Sequence, residues 1–560
     1  MFLPDSSSAD NKKLVRALAD AVQRCNTSRS SRGAFARTIR QWRYAGSEDR
    51  TGSLYNRLNC NNDRLSSYLF APGDLRFHLE FESPQINPMM FSMADIAGQY
   101  LTARVEAADL DLMFGEAVDM AVMNGAAFIK LMWSPNHGIQ GRLVPMYNFG
   151  VWREDEPSLN AQEALCETTY ITRFDLWRRL GDRPKDVREK LYKRAIAQAA
   201  RRNNSSEAES YFHSVLIAQT GTPVQTTGMT TGLQTAGGIV DLTTTPVGLT
   251  QDPNIADDLI PLYELTIWDD SIDDYTTCQF VWPDIIIEPY LKKKNLFIKQ
   301  QHPYVLVQSN PSPNYLWGRS ELLDLLNLQA QLSERMMDMA RLSGIQFDRL
   351  LAIIGGTGIG DEEYAASRLA GFIQMETGSD VKDITPQFPA QFFDEIKLIT
   401  EAMDDVSGFG PILSGKGESG VRAGTHANTL LKTASPRLRK RSLRIERQCA
   451  EMGQKVFELL KAKEPEIHVG PKGEEFIMSQ LPDDIRVTVD SHSSSPIYED
   501  DHKELAMFLE KAGAIGPEDV LDLVPVPRRE LLKEHLRARE AAQAAFMQQH
   551  PELALKGKHK

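Results

Sequence analysis

The chain has 560 residues, 42% of them hydrophobic, which is enough to bury one or more substantial cores. Against 76 acidic residues stand 63 basic ones, and the net charge of −13 argues against a protein that coats nucleic acid by broad phosphate neutralisation. Five scattered cysteines (Cys25, Cys60, Cys166, Cys278, Cys449) form no CxxC pair, which disfavours a disulfide framework or a zinc site, and no stretch approaches the roughly 18 apolar residues of a membrane span. The N-terminus MFLPDSSSADNKK lacks the apolar core of a signal peptide, so assembly in a reducing cytoplasm without a membrane partner is expected.

In chain order, residues 11–45 carry apolar positions at helical spacing, broken by a Ser/Arg stretch, and residues 91–124 predict one or two amphipathic helices stopped at Asn124-Gly125. AAFIKLMW (126–133), the turn SPNHG and GRLVPMYNFGVW (141–152) read as strand, turn and strand. A charged helical stretch runs from about Thr172 to Arg202, and the Thr/Gly-rich segment 203–258 reads as a long loop insertion. From Leu262 to Gln308 five short β-rich runs suggest an antiparallel meander.

Helix then dominates. Across residues 320–342, Leu322, Leu325, Leu328, Leu332, Met336, Met339 and Leu342 recur at steps of three or four and form one apolar stripe. Residues 345–388 read as a small α/β module, and 390–406 as a second helix. A glycine-rich connection follows at 407–424, then a long helix over roughly 425–462 interrupted at Pro436, where a kink is expected. A short β region, EIHVG to RVTVD, and charged C-terminal helices complete the chain.

Enzyme motifs fail on inspection. GGTGIGD (355–361) lacks G-x-G-x-x-G spacing, and Gly415-Lys416-Gly417 lacks the hydroxyl residue that a P-loop places next for Mg²⁺. The 11 histidines show no metal-ligand spacing. The acid pairs Asp269-Asp270, Asp273-Asp274 and Asp404-Asp405 suit solvated turns and helix ends better than acid-base or divalent-cation chemistry. No enzymatic activity, cofactor, metal or catalytic residue is expected.

The segment HPYVLVQSNPSPNYLWGRSELLDLLNLQAQLSERMMDMARLSG (302–344) resembles phage portal, or head-to-tail connector, proteins in its His-Pro-Tyr strand, variable loop, aromatic-Gly-x-Ser step and long helix. The elements after it follow in that family's order. The resemblance implies an α+β fold with a mixed α/β wing (1–315 and 425–497), stem helices (316–344 and 389–406), a small α/β clip (345–388), a tunnel loop (407–424) and a helical crown (498–560). It further implies a ring of about twelve subunits at one capsid vertex of the virion. Double-stranded DNA would pass through in packaging and ejection. The terminase large subunit would dock first and head-tail adaptor or tail proteins later, with major capsid and scaffolding proteins around the ring.

In that mapping Gly415, Gly417 and Gly420 give the tunnel loop mobility, Lys416 and Arg422 reach phosphates, and Glu418 keeps the loop's charge low. The basic cluster Arg437, Arg439, Lys440, Arg441, Arg444 and Arg447 is read first as a salt-bridged face between subunits, with DNA or the capsid shell as alternatives. Competing classes are another minor head or adaptor protein and, further off, a metal-dependent nuclease or NTPase.

Overall fold

Two helices, α1 (Lys12–Cys25) and α2 (Arg29–Ala45), open the chain on either side of the break expected there. The computed structural model describes residues 12–45, 55–70, 75–81, 88–181, 184–203, 259–281, 285–286, 295, 297–347, 351–354, 380–383, 391–408, 436–464, 467–469, 475–482 and 485–489, with single positions and one short helical stretch between 506 and 539. The insertion 204–258, most of the 345–388 module, the loop from 409 to 424 and most of the C-terminal segment lie outside the described residues.

Helix α3 (Arg57–Leu69) escapes apolar periodicity because its buried side includes Asn61 and Asn62 beside Leu58 and Leu65. Its start is set by Asn56, whose side chain accepts from the Leu58 and Asn59 amides at 3.1 and 3.5 Å. After β1 (Phe77–Phe81), the 91–124 region forms two helices, α4 (Pro88–Ala107) and α5 (Leu110–Asn124). Gly125, at φ +103°, ends α5 with its amide on Ala121 O at 2.7 Å.

Strands β2 (Ala127–Ser134) and β3 (Gly138–Pro145) form the expected hairpin, with Lys130 opposite Arg142. The run expected to continue to residue 152 instead divides after Pro145, and β4 (Phe149–Val151) joins a different sheet. That sheet is antiparallel in the order β4-β5-β6-β7-β8, with β5 (Ala164–Thr172), β6 (Leu259–Asp269), β7 (Asp274–Val281) and β8 (Ile285–Ile286).

The meander expected through residue 308 therefore ends early. The described part of NLFIKQQ makes bends and turns, and YVLV becomes β9 (Tyr304–Val307), which pairs with β2, Leu306 opposite Phe128. All four β9 residues are buried, a pattern that requires a sheet covered on both faces rather than one with a wet side.

Side-chain alternation along β6 gives its sheet two covered faces. Tyr263, Leu265 and Ile267 pack with Leu18, Val22 and Cys25 of α1. Ile260 and Leu262 pack with Leu176 and Leu180 around α6 (Arg173–Arg179) and with Ala195 of α7 (Lys185–Asn203). Between the two sheets Lys130 bonds Glu167 at 3.0 Å and also reaches Glu264, while Arg142 and the Tyr304 hydroxyl complete the shell around Glu167. Two cations balance two carboxylates there, which is what burial of that many charges requires.

The second half begins with α8 (Leu326–Phe347), preceded by a single 3₁₀ turn at Leu323–Leu325. The helix expected from residue 320 thus starts six residues later and runs five further. Strands β10 (Leu351–Ile354) and β11 (Asp380–Asp383) pair antiparallel, and α9 (Gln391–Ser407) returns alongside α8.

Pro436 is the first residue of α10 (Pro436–Lys463), a position where proline's missing N–H costs nothing, and the residues before the kink expected there lie outside the described residues. The expected helix over 425–435 lies outside the described residues. Strands β12 (Ile467–Val469), β13 (Glu475–Ile477) and β14 (Ile485–Val489) follow; β14 pairs with β1, Val489 opposite Phe77. One core unites the two ends of the chain: Phe77, Leu101, Phe114, Val118, Ile129 and Val305 pack with Met452, Val456 and Ile485. The fold is mixed α and β, with helices on the sheets and a separate helical hairpin, α8–α9.

Candidate functional site: a clamped helical hairpin

The motif at 302–344 is a chain of anchors that fixes where α8 leaves the body. His302 is buried, its Nδ1 accepting from the Tyr304 amide at 3.3 Å. Lys455 of α10 reaches in from the other side and donates to the carbonyls of His302 at 3.3 Å and Tyr304 at 2.6 Å. Burial, and then the neighbouring Lys455 ammonium, push the His302 pKa well below its ordinary value. Burial likewise lowers Lys455 to about 8, against the opposing pull of Glu451 and Glu458.

This joint has a pH consequence. An unfolded histidine takes up its proton near pH 6.5, about 6.5 being its ordinary pKa, whereas folded His302 resists protonation to much lower pH. Below about pH 6.5 the unfolded state binds more protons, so His302 contributes stability that is present above that pH and is lost as pH falls, by up to about 1.4 kcal/mol per pH unit. Thermal unfolding between pH 7.5 and 5 should show a shallower acid loss in His302→Gln than in the parent; equal slopes would remove His302 as the source.

Next comes the aromatic-Gly-x-Ser step. Trp317 is buried, edge-on to Phe128 at 5.8 Å between centroids, with the Arg32 guanidinium over its ring at 3.8 Å. Arg32 is itself held by Glu154 and donates to Phe149 O at 2.8 Å; burial lowers its pKa to about 10. Gly318 has φ +67°, and a Cβ there would stand 2.6 Å from Gly125 O and 2.9 Å from Asn310 O. Ser320 Oγ donates to Met123 O at 2.5 Å, and the Glu321 amide donates to Val122 O at 3.0 Å. The start of the hairpin is therefore bolted to the last turn of α5.

The basic cluster meets this junction and divides there. Arg441 is buried and forms an ion pair with Glu321, itself nearly buried, and Arg444 donates to Gln308 Oε1 at 2.9 Å. Burial lowers the Arg444 pKa. Arg439, Lys440 and Arg447 are exposed; nothing is described of the Arg437 side chain. The expectation of one salt-bridged face between subunits is thus corrected for Arg441 and Arg444, which serve contacts within the chain. Gly415, Lys416, Gly417, Glu418, Gly420 and Arg422 lie outside the described residues.

A second clamp, invisible to motif reading, holds both hairpin helices at once. Arg57, at the N-terminus of α3, pairs with Asp404 of α9 at 2.7 Å, both side chains nearly buried, and donates to Thr400 O at 2.8 Å. Its amide donates to Gln329 Oε1 of α8 at 3.0 Å, and Gln329 Nε2 donates to Tyr55 O at 3.0 Å. Asp404 is therefore not a solvated helix end, as expected for the Asp404-Asp405 pair, although Asp405 is exposed. Nor is Asp269 solvated: it is buried and accepts from the Ser271 amide and hydroxyl at 3.0 and 2.7 Å.

Beyond the clamps the two helices have mainly each other. Leu332, Ile399 and Met403 are buried in a core with Ile39, Trp42 and Leu58, whereas Met336, Met339 and Leu342 farther along α8 are only half-buried. Arg335 bonds Glu395 across the pair at 2.9 Å. At about 100° per residue, Phe392, Ile396, Ile399 and Met403 form the side of α9 facing α8, Phe393 falls on one flank, and Leu398 falls towards the side away from α8. Those two side chains are 61% and 67% exposed. Asp394, Glu401 and Asp405 share that outward side with Leu398, and Glu401 pairs with Lys397 at 3.9 Å.

Among the described residues no cluster of three or more His, Cys, Asp or Glu is placed to hold a metal, and no helix is long and apolar enough to cross a membrane. No family model matches the sequence, and no curated protein matches it. Among solved structures, the chain is similar to a chain of the virion of a native gene transfer agent particle, with a TM-score of 0.38 and 11% identity over 87% of this chain and 93% of that one.

Proposed function

We propose that this chain is the portal subunit of a phage-like head: a ring-forming channel without chemistry of its own, docking a packaging motor and later an adaptor or tail, and passing double-stranded DNA. The observation that carries the reading is the α8–α9 hairpin, clamped at its root by Arg57 and bolted at Gly318, with Phe393 and Leu398 of α9 left exposed. Phe393 and Leu398 are among the most exposed large apolar side chains described, and a neighbouring copy of the hairpin would cover them. A closed ring supplies such neighbours, and each contact buries apolar area.

The outward side of α9, with Asp394, Glu401 and Asp405, then faces away from α8 as a negatively charged surface over which a polyanion slides rather than sticks. Weak attraction in that passage falls to Lys416 and Arg422, multiplied by the number of subunits. Arg439, Lys440 and Arg447 remain available for contacts between subunits.

Electron microscopy and native mass of the purified chain test the reading. A closed ring of about twelve subunits with a central hole is the expected result; a monomer under all conditions, including with capsid components, overturns it. Phe393→Asp with Leu398→Asp should leave circular dichroism and the melting temperature nearly unchanged while shifting the native mass towards monomer. An intact ring in that variant would put the lateral contact elsewhere.

A further inference from the structure

Charge is distributed unevenly along the molecule. From Arg173 to Asn203 stand eleven basic against four acidic residues, a local excess of seven positive charges in a chain whose net charge is −13. The helices that carry them are held as one platform. Trp177 of α6 meets Tyr192 of α7 edge-on at 5.1 Å, and Arg188 stacks over Trp177 at 3.9 Å while donating to its carbonyl at 2.6 Å. Leu176, Leu180 and Ala195 bury the underside against the sheet.

The opposite side is basic and wet. Arg178, Arg179, Lys185, Lys190, Lys193 and Arg194 are all exposed. Lys190 and Lys193 lie three residues apart on the outward side of α7, about 4.5 Å along its axis. Among the described residues no ion pair joins Lys185, Lys190 or Lys193 to a carboxylate; Asp186 and Glu189, one turn before Lys190 and Lys193 on the same side, offset part of their charge, and six exposed basic residues against these two acids leave the surface positive. Phe174 is 74% exposed and sits one turn before Arg178 on the same side of α6. Like charges at helical spacing cost stability, and an aromatic ring beside them adds an apolar cost; both are relieved when phosphates and bases arrive.

We propose that the α6–α7 platform is a nucleic-acid-binding surface, in which Arg178, Lys185, Lys190 and Lys193 contact the phosphate backbone and Phe174 packs against sugar or base. It is built on different elements from the α8–α9 hairpin and does not rest on the portal reading. A channel lined by α9 repels DNA; this surface attracts it, which separates the two readings by sign of charge.

The test is fluorescence anisotropy of the full-length chain with a labelled duplex of about 30 base pairs across a salt series, since each lost phosphate contact lowers the salt slope by about 0.9. Lys190→Ala with Lys193→Ala should weaken binding by about tenfold and reduce the slope by nearly two. The control removes the same charge from exposed positions on other elements, Arg64→Ala with Arg486→Ala, and should change binding little. Phe174→Ala should weaken binding to a single-stranded oligonucleotide of equal phosphate number more than binding to the duplex.

Equal losses in the matched pairs would mean that only net charge matters and would overturn the proposal. A Lys190/Lys193 variant that binds duplex like the parent but fails to assemble would overturn it too, in favour of an acidic surface on a second copy of the chain. Failure to form a ring in microscopy bears on the portal reading alone.

Discussion

Gly318→Val should prevent the hairpin from docking and destabilise the chain by at least about 3 kcal/mol, from strain in a sparsely allowed backbone region and from overpacking. At φ +67° a β-branched residue is strained in itself. The added Cβ would meet two backbone carbonyl oxygens, Gly125 O at 2.6 Å and Asn310 O at 2.9 Å, neither of which moves like the end of a flexible side chain. Gly125 is no freer to retreat: its own φ is +103°, and its amide closes α5. Displacing either glycine also pulls Ser320 from Met123 O and the Glu321 amide from Val122 O.

The measurement is soluble yield and thermal unfolding, with limited proteolysis of α8–α9 as the local readout. Gly344→Ala, in the last turn of α8 with nothing within 4 Å of the added Cβ, is the comparison; it should raise stability by up to about 1 kcal/mol through helix propensity. A Gly318→Val chain that melts with the parent would refute the bolt.

What the sequence revealed and concealed divides along physical lines. Elements whose burial follows a regular period were legible: α1, α2, α5, α9, the β2–β3 hairpin and the start of the meander. Sheet membership was not. Nothing local in YVLV says that it leaves β7 and β8 for β2; the decision rests on which faces are covered, a property of the assembled layers. Helix α3 was hidden because asparagines occupy part of its inner side, and the true start of α8 because Leu322 and Leu325 continue the apolar stripe through a 3₁₀ turn.

The candidate site was half visible for the same reason. The aromatic-Gly-x-Ser step is contiguous, so its glycine and serine could be singled out, though not their partners in α5. The basic cluster looked uniform in sequence, yet at 3.6 residues per turn its members point different ways, and Arg441 and Arg444 turn inward to Glu321 and Gln308. Arg57 and Asp404 are separated by 347 positions, and no spacing rule connects them.

That remote pair yields the second large effect. Arg57→Met should cost about 3–5 kcal/mol, the range for removing one partner of a buried ion pair, because the Asp404 carboxylate is left nearly buried without its cation. The loss also frees Thr400 O and loosens α9 from the body, so assembly into a ring should fail along with stability. Arg57→Met with Asp404→Leu leaves no orphan charge and should recover much of the loss, since replacing both partners by apolar groups is often near neutral. The recovery, read as a double-mutant coupling energy, isolates the pair from the packing of the arginine stem. A melting temperature within about 1 °C of the parent for Arg57→Met would show the clamp to be dispensable. Recovery of stability without recovery of the ring would show instead that the angle set by Arg57, and not the energy it supplies, is what assembly requires.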